Sequence, residues 1–273
     1  MVTGLRVTVQ MTNKLKQTHT LKKLSIQVRL DGLSFFTQNH QDQVVDYAQF
    51  PFEKRVDPNQ LLKQIEHIFT TQDVLTASYN EVVVLYVNNL FTLVPQPLFE
   101  EAKLTDYLKF NTKMLQTDFV TFDLIDPYEI VNVYIPYANV NNYFFDQFGS
   151  FTYHHALTPL LQKVMQEAQL EGPALVWINL HPQSFEMVVS EQKKVLLANC
   201  FDYFTKEDFI YYLLFTLEQL DVSPDTADLR CSGTITTEDD LYQLLYTYVR
   251  NVTIVHTNNS KIPASDFLLS TQL

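Results

Sequence analysis

Apolar and polar residues alternate from Leu24 to Leu30, with Leu24, Ile26, Val28 and Leu30 on one face, and this period predicts a β-strand. Asp31-Gly32 interrupts it and Leu33-Ser34-Phe35-Phe36-Thr37 runs back, so the spacing predicts a hairpin with Asp31-Gly32 as its two-residue turn. A third strand is expected over residues 44–50. Asp57-Pro58 then supplies an N-cap carboxylate and a proline at the first helical position, and Leu61, Leu62, Ile65, Ile68 and Phe69 recur along one stripe of a helix. The order so far is βββα. The apolar run 82–87 reads as a strand buried on both faces, and Asn88-Asn89 turns it into residues 90–94. Pro97 is expected to start a helix reaching Tyr107, followed by strands over 118–124 and 130–135 and helices over 139–148 and 157–169.

The pattern then begins again. Residues 174–180 and 185–190 form a second hairpin over His181-Pro182-Gln183-Ser184, and 195–203 supply a third strand. Thr205 with Asp208 three positions on caps a helix carrying Phe209, Ile210, Leu213, Leu214, Leu217 and Leu220. A strand at 228–231, a helix capped around Thr236 to Asp239 and a strand at 252–255 close the half as βββαβαβ. Two halves that both open βββαβ, offset by about 150 residues, indicate duplication of an architecture. Hairpins followed by helix-separated strands make an α/β fold of mixed sheets with helices on their faces, the layout of the ribonuclease-H-like fold that occurs twice in the actin superfamily. The expected organisation is an N-terminal arm at 1–20, a first actin-like lobe with insertions at 21–170 and a second lobe at 171–273, with Gly172-Pro173 as the hinge.

Composition narrows the chemistry. Thirty-one Asp and Glu against nineteen Lys and Arg give a net charge of −12, which repels phosphate backbones and argues against nucleic acid as a partner. The exception is the first stretch, where Arg6, Lys14, Lys16, Lys22, Lys23 and Arg29 meet no carboxylate and read as a solvated arm. Cys200 and Cys231 lie in apolar surroundings and are expected to be buried free thiols, which with no visible signal peptide or membrane-spanning run points to the cytoplasm. Trp177, inside an apolar strand, is expected in the core.

Several blocks resemble a family of Bacteroidetes proteins of unknown function, family 3822. They are Leu24-Ser25-Ile26-Gln27-Val28 through Asp31-Gly32-Leu33-Ser34-Phe35, Asn88-Asn89 through Val94-Pro95, Asp106-Tyr107-Leu108-Lys109-Phe110-Asn111, Asn132-Val133-Tyr134-Ile135-Pro136-Tyr137, and Asn141-Asn142-Tyr143 through Phe148-Gly149-Ser150-Phe151. The resemblance implies an actin-like fold and carries no established activity. Within that fold the layout is most similar to pilus and secretion assembly ATPases and to cell-division actins. These bind ATP between two lobes through an Asp-containing glycine loop after each hairpin's first strand and an adenosine loop with paired glycines.

Measured against those loops, the chain is poor in glycine. It has five, where ordinary usage of ~7% gives about nineteen, and phosphate-wrapping backbone needs residues without a Cβ. Asp31-Gly32 is accounted for by turn geometry, the second hairpin loop offers no glycine or carboxylate and contains Pro182, and Cys231-Ser232-Gly233-Thr234 stands at the adenosine position with a single glycine. The candidate cofactor-binding residues are therefore Asp31, Ser232, Gly233 and Thr234. No catalytic or metal residues are expected, and ATP is possible but disfavoured. His154 and His155 are adjacent on a strand and point to opposite faces. Asp118, Asp123 and Asp126 read as a polar strand boundary and turn, with Mg²⁺ binding as the sharper option. Glu207-Asp208 and Glu238-Asp239-Asp240 read as helix caps. The expectation is a non-catalytic scaffold or assembly protein with unidentified protein partners. The alternative is a nucleotide-binding sensor or enzyme using the cleft between the lobes.

Overall fold

A computed structural model describes residues 21–110, 112, 114 and 118–273, so the expected arm at 1–20 lies outside the described residues. Two compact units emerge, one ending at Thr158 and also holding Gln272–Leu273, the other Pro159–Thr271. The division falls within a helix, α4 (Leu157–Glu167), ahead of Gly172-Pro173.

In the first unit β1 (Leu21–Arg29), β2 (Gly32–Gln38) and β3 (Val44–Pro51) form an antiparallel meander. Helix α1 (Pro58–Thr71) follows, capped by Asp57, whose side chain accepts the amides of Asn59 and Gln60. Its stripe, Leu61, Ile65, Ile68 and Phe69, is buried. The chain returns through β4 (Tyr79–Tyr86), parallel to β1, and after an insertion through α3 (Ala138–Phe148) and β8 (Thr152–His155), parallel to β4. Phe69 of α1 packs on Tyr143, Phe144 and Phe148 of α3 with ring centroids 5.3–5.9 Å apart. The sheet order is β3-β2-β1-β4-β8. The insertion is a small sheet of β5 (Phe91–Pro95), β6 (Thr121–Ile125) and β7 (Ile130–Tyr134) with the short helix α2 (Leu104–Leu108), around Val94, Leu108, Val131, Val133 and Ile135.

The second unit repeats the path. Strands β9 (Leu175–Leu180), β10 (Ser184–Glu191) and β11 (Lys194–Asp202), helix α5 (Lys206–Gln219), β12 (Asp228–Gly233), α6 (Asp240–Tyr248) and β13 (Asn251–Ile254) give the order β11-β10-β9-β12-β13. The capping box is complete, with Asp208 accepting the Thr205 amide at 2.9 Å and the Thr205 hydroxyl accepting the Asp208 amide at 3.1 Å. Both helices pack on one sheet face, where Phe209, Ile210, Leu213, Leu217, Leu245 and Val249 meet Val176, Ile178, Leu180, Phe185, Met187 and Val189. The other face carries Trp177, fully buried against Phe267 of the C-terminal turn α7 (Phe267–Ser270).

Three expectations change. Gly32 pairs with Arg29 as the first residue of β2, so the turn is Leu30-Asp31, and Gly32 is not among the described residues with positive φ. Its use is close approach, since a Cβ there would lie 3.0 Å from the Phe50 carbonyl oxygen on β3. The helix expected from Pro97 to Tyr107 is broken at Phe99 and Glu100, both extended, because Phe99 leaves the helical path to stack on Tyr107 and pack at a tilt against Phe122. Cys231 is fully buried as expected, but Cys200 on the outer strand β11 is only half-buried.

Burial of so many hydroxyls has a pH signature. Desolvation lifts Tyr86 and Tyr134 well above the ordinary value of 10.0, and the Cys231 thiol from 9.0 to about 12. A folded-state pKa raised above its unfolded value gives stability that is complete below the unfolded pKa and is lost as pH rises beyond it. The melting temperature is therefore expected to hold steady up to about pH 9 and fall steeply above pH 10. Tyrosinate absorbance from the buried rings should appear only with loss of the native circular dichroism. A complete tyrosine titration in the intact fold contradicts this.

Candidate functional site

The hairpin ends are the places to look, because the repeated path brings them to equivalent positions. In the second unit His181 donates its amide to the Ser184 carbonyl at 2.8 Å, leaving Pro182-Gln183 as the turn. In register terms His181 corresponds to Arg29 of the first hairpin, Asn179 to Gln27 and Glu186 to Ser34. The strand alongside agrees. The Thr234 amide donates to the Leu180 carbonyl at 2.9 Å as the Val87 amide does to Val28 at 3.0 Å.

Asn179 and Glu186 face each other across the β9–β10 ladder, and both are buried. Hydrogen bonds there run in one direction. The Trp177 indole N–H donates to the Ser232 hydroxyl at 3.0 Å, which donates to Asn179 Oδ1 at 2.9 Å, and Asn179 Nδ2 donates to Glu186 Oε2 at 2.9 Å. From the other side His181 Nε2 reaches the two carboxylate oxygens at 3.2 and 2.9 Å. Tyr203 steadies the turn by donating its hydroxyl to the His181 carbonyl at 2.7 Å, and burial raises its pKa. Trp177, Asn179, His181, Glu186 and Ser232 are each at most 3% exposed as whole residues. A buried carboxylate is tolerable only when charge-assisted donors surround it, each worth about 1.5–3 kcal/mol.

The sequence-derived candidates divide between the two units. Asp31 sits in the first hairpin turn, where Arg29 grips it with Nε at 2.8 Å and a terminal nitrogen at 2.7 Å. Ser232 is fully buried inside the network just described. Gly233 has φ +92°, and an added Cβ would overlap the Leu180 carbonyl oxygen and come within 2.7 Å of its nitrogen, so the residue is required by the approach of β12 to β9. Thr234 turns its hydroxyl to the same carbonyl at 3.3 Å. Glu186, His181 and Asn179 were not among the candidates. The carboxylate missing from residues 179–184 arrives from the returning strand, and the readable signal was the hairpin register, which sets Glu186 against Asn179.

A second buried carboxylate occupies the first unit. Asp123, taken from sequence as a strand-boundary residue, is in the middle of β6 and fully buried. It accepts from Tyr134 Oη at 3.3 Å, His154 Nδ1 at 3.0 Å, the His155 amide at 3.0 Å and Thr158 Oγ1 at 2.7 Å. His155 turns the other way and meets the Asn88 carbonyl at 3.0 Å through Nε2. The pair therefore separates as adjacent strand positions must, and among the described residues no group of three His, Cys, Asp or Glu is disposed to hold a metal ion. A cavity of about 260 Å³ opens at the start of β9, β12 and β13. Its Arg230 is already paired with Glu167 and Asp228 and lies over the Trp177 ring.

The profile of the family described as "Protein of unknown function (DUF3822)" matches residues 12–252. The chain belongs to that family. No curated protein matches it. A crystal structure from Bacteroides thetaiotaomicron, described as a protein with actin-like ATPase fold and unknown function, is 22% identical with a TM-score of 0.81, over 92% of this chain and 96% of that one. A PilM–PilN type IV pilus biogenesis complex is similar at 13% identity and a TM-score of 0.57, covering 94% and 98%. The family member therefore has the actin-like ATPase fold, and its two sheets of identical order are the duplicated core expected from sequence. No helix among the described residues is long and apolar enough to cross a membrane.

Gly233 gives the direct check on the packing at this site. Gly233→Ala is expected to lower stability by at least about 2 kcal/mol, combining the cost of positive φ with the displaced Leu180 backbone, measured by urea unfolding. A loss below about 0.5 kcal/mol, the range of surface substitutions, contradicts the assigned approach.

Proposed function

We propose that this protein is a non-catalytic scaffold or assembly protein with an actin-like fold, acting in the cytoplasm, and that Mg-ATP is not its ligand. The observation that carries this reading is the buried Glu186 carboxylate at the second hairpin end, drawing in the Asn179 and His181 donors. In ATP-binding members of the superfamily the corresponding loop supplies free donors to an anion. Here the donors converge on an anion the chain provides, and a phosphate placed beside it meets like charge in a low-dielectric setting. Ser232, which could otherwise offer a hydroxyl, is held between Trp177 and Asn179. In the first unit the Asp31 carboxylate is taken up by Arg29. With both hairpin ends internally satisfied, surfaces are what remain for function, and the fold shared with a pilus biogenesis complex is compatible with assembly work. Neither Cys200 nor Cys231 is in a disulfide, which suits a reducing compartment.

The competing reading, a nucleotide sensor using Asp31, Ser232, Gly233 and Thr234, predicts a different thermal response. A ligand at ~100 times its dissociation constant adds ~2.7 kcal/mol, which moves the midpoint of a chain this long by several degrees at ~2 °C or more per kcal/mol. Saturating Mg-ATP, Mg-ADP or Mg-GTP is expected to move the melting temperature by less than about 1 °C. A reproducible rise of several degrees with one nucleotide overturns the scaffold reading.

A further inference from the structure

The outer side of the second unit is unusually aromatic for a surface. On α5, Tyr211 (58% exposed) and Phe215 (47% exposed) are one turn apart with stacked rings, centroids 5.7 Å apart. On α6, Tyr246 (60% exposed) stacks on Tyr242 at 6.1 Å. Phe204, just ahead of α5, is almost fully exposed. Both helices pack on the same face of one sheet, so their outward sides look the same way. Lys206 of α5 meets Asp240 of α6 at 3.5 Å across the top. Tyr211 also continues inward through Tyr212, Phe201 and Phe185, each ring contacting the next, so the outer rings are braced by the core.

The charges framing these rings are mainly acidic. Glu207, Glu218, Glu238 and Asp240 are exposed on or beside the two helices, against two cations, Lys206, which Asp240 engages, and Arg250 just past the end of α6. A surface of aromatic faces inside a carboxylate rim selects a basic and apolar ligand, because cations are attracted to ring faces and to the rim while aliphatic side chains cover the rings. One segment of the chain has that composition. Residues 1–20 carry Arg6, Lys14 and Lys16 with no carboxylate, interleaved with Leu5, Val7, Val9, Met11 and Leu15.

We propose that the α5–α6 face docks residues 1–20 of a second copy of this chain. Such a contact joins two different surfaces and is therefore heterologous, so each copy offers both halves and association can propagate. The proposal rests on the reading of this protein as an assembly module, but it is independent of the hairpin ends. Nucleotide binding there would defeat that reading and leave this contact standing.

Sedimentation of the full chain over a range of concentrations at low salt tests it, with Tyr211→Ser/Phe215→Ser and Arg6→Glu/Lys14→Glu/Lys16→Glu as full-length variants checked for unchanged melting. The expected result is concentration-dependent association that weakens at least about tenfold in each variant, a tenfold change being ~1.4 kcal/mol. Near 1 M salt, where the Debye length is ~3 Å, it should weaken likewise. A synthetic peptide of residues 1–20 should dissociate the assembled wild type. A monomer at every concentration overturns the proposal. Association that survives either set of substitutions, or that the peptide leaves intact, also overturns it.

Discussion

Glu186 imposes the constraint around which the second unit is arranged. A carboxylate removed from water must be met by donors, or folding forfeits several kcal/mol. Asn179 and His181 meet it directly. Asn179 can orient its amide that way only because its oxygen is held by Ser232, which in turn is fixed by the Trp177 indole. Ser232 reaches Asn179 because β12 runs beside β9 to its very end, and that closeness is permitted by the missing side chain at Gly233. One buried charge thus ties residue choice on three strands to a single glycine.

The two units show how little of a duplicated path needs to be duplicated in chemistry. Sheet order and strand directions are the same, and so is the hydrogen bond that carries the chain past the first strand's end. Yet register-equivalent positions hold Ser34 where the other unit has Glu186, and Gln27 where it has Asn179. The first unit places its own fully buried carboxylate, Asp123, in the inserted sheet, where it joins β6, β7, β8 and the start of α4. Architecture is set by apolar periodicity and tolerates such exchanges, whereas each polar network is particular to its neighbours.

What could be read from sequence follows the same division. Strands rich in apolar residues, such as β1 and β9, and helices with marked caps, such as α1 behind Asp57 and α5 behind Thr205, were legible because their signals are local. The helix expected after Pro97 was misread because Phe99 is committed to Phe122, a partner distant in the chain. Asp31-Gly32 looked like a turn pair, while the ladder shows Gly32 already in the strand. Glu186 was hidden by its setting. Between Phe185 and Met187 it resembles the solvent side of a half-exposed strand, and only coverage of both sheet faces makes it a buried charge. The pairing of Asp123 with His154 crosses thirty-one residues and has no local signature.

The central claim is that the second hairpin end is closed upon its own carboxylate, and the chain carries a natural reporter for it. Trp177 is the sole tryptophan, and its indole N–H enters the same hydrogen-bond chain through Ser232. A nitrogen–proton correlation spectrum therefore shows one indole signal, to be followed as Mg-ATP is titrated to millimolar concentration. An unmoved signal is the predicted result. A saturable shift of that signal, matched by slower or faster exchange of its proton, would contradict the account and mark the hairpin end as a nucleotide site.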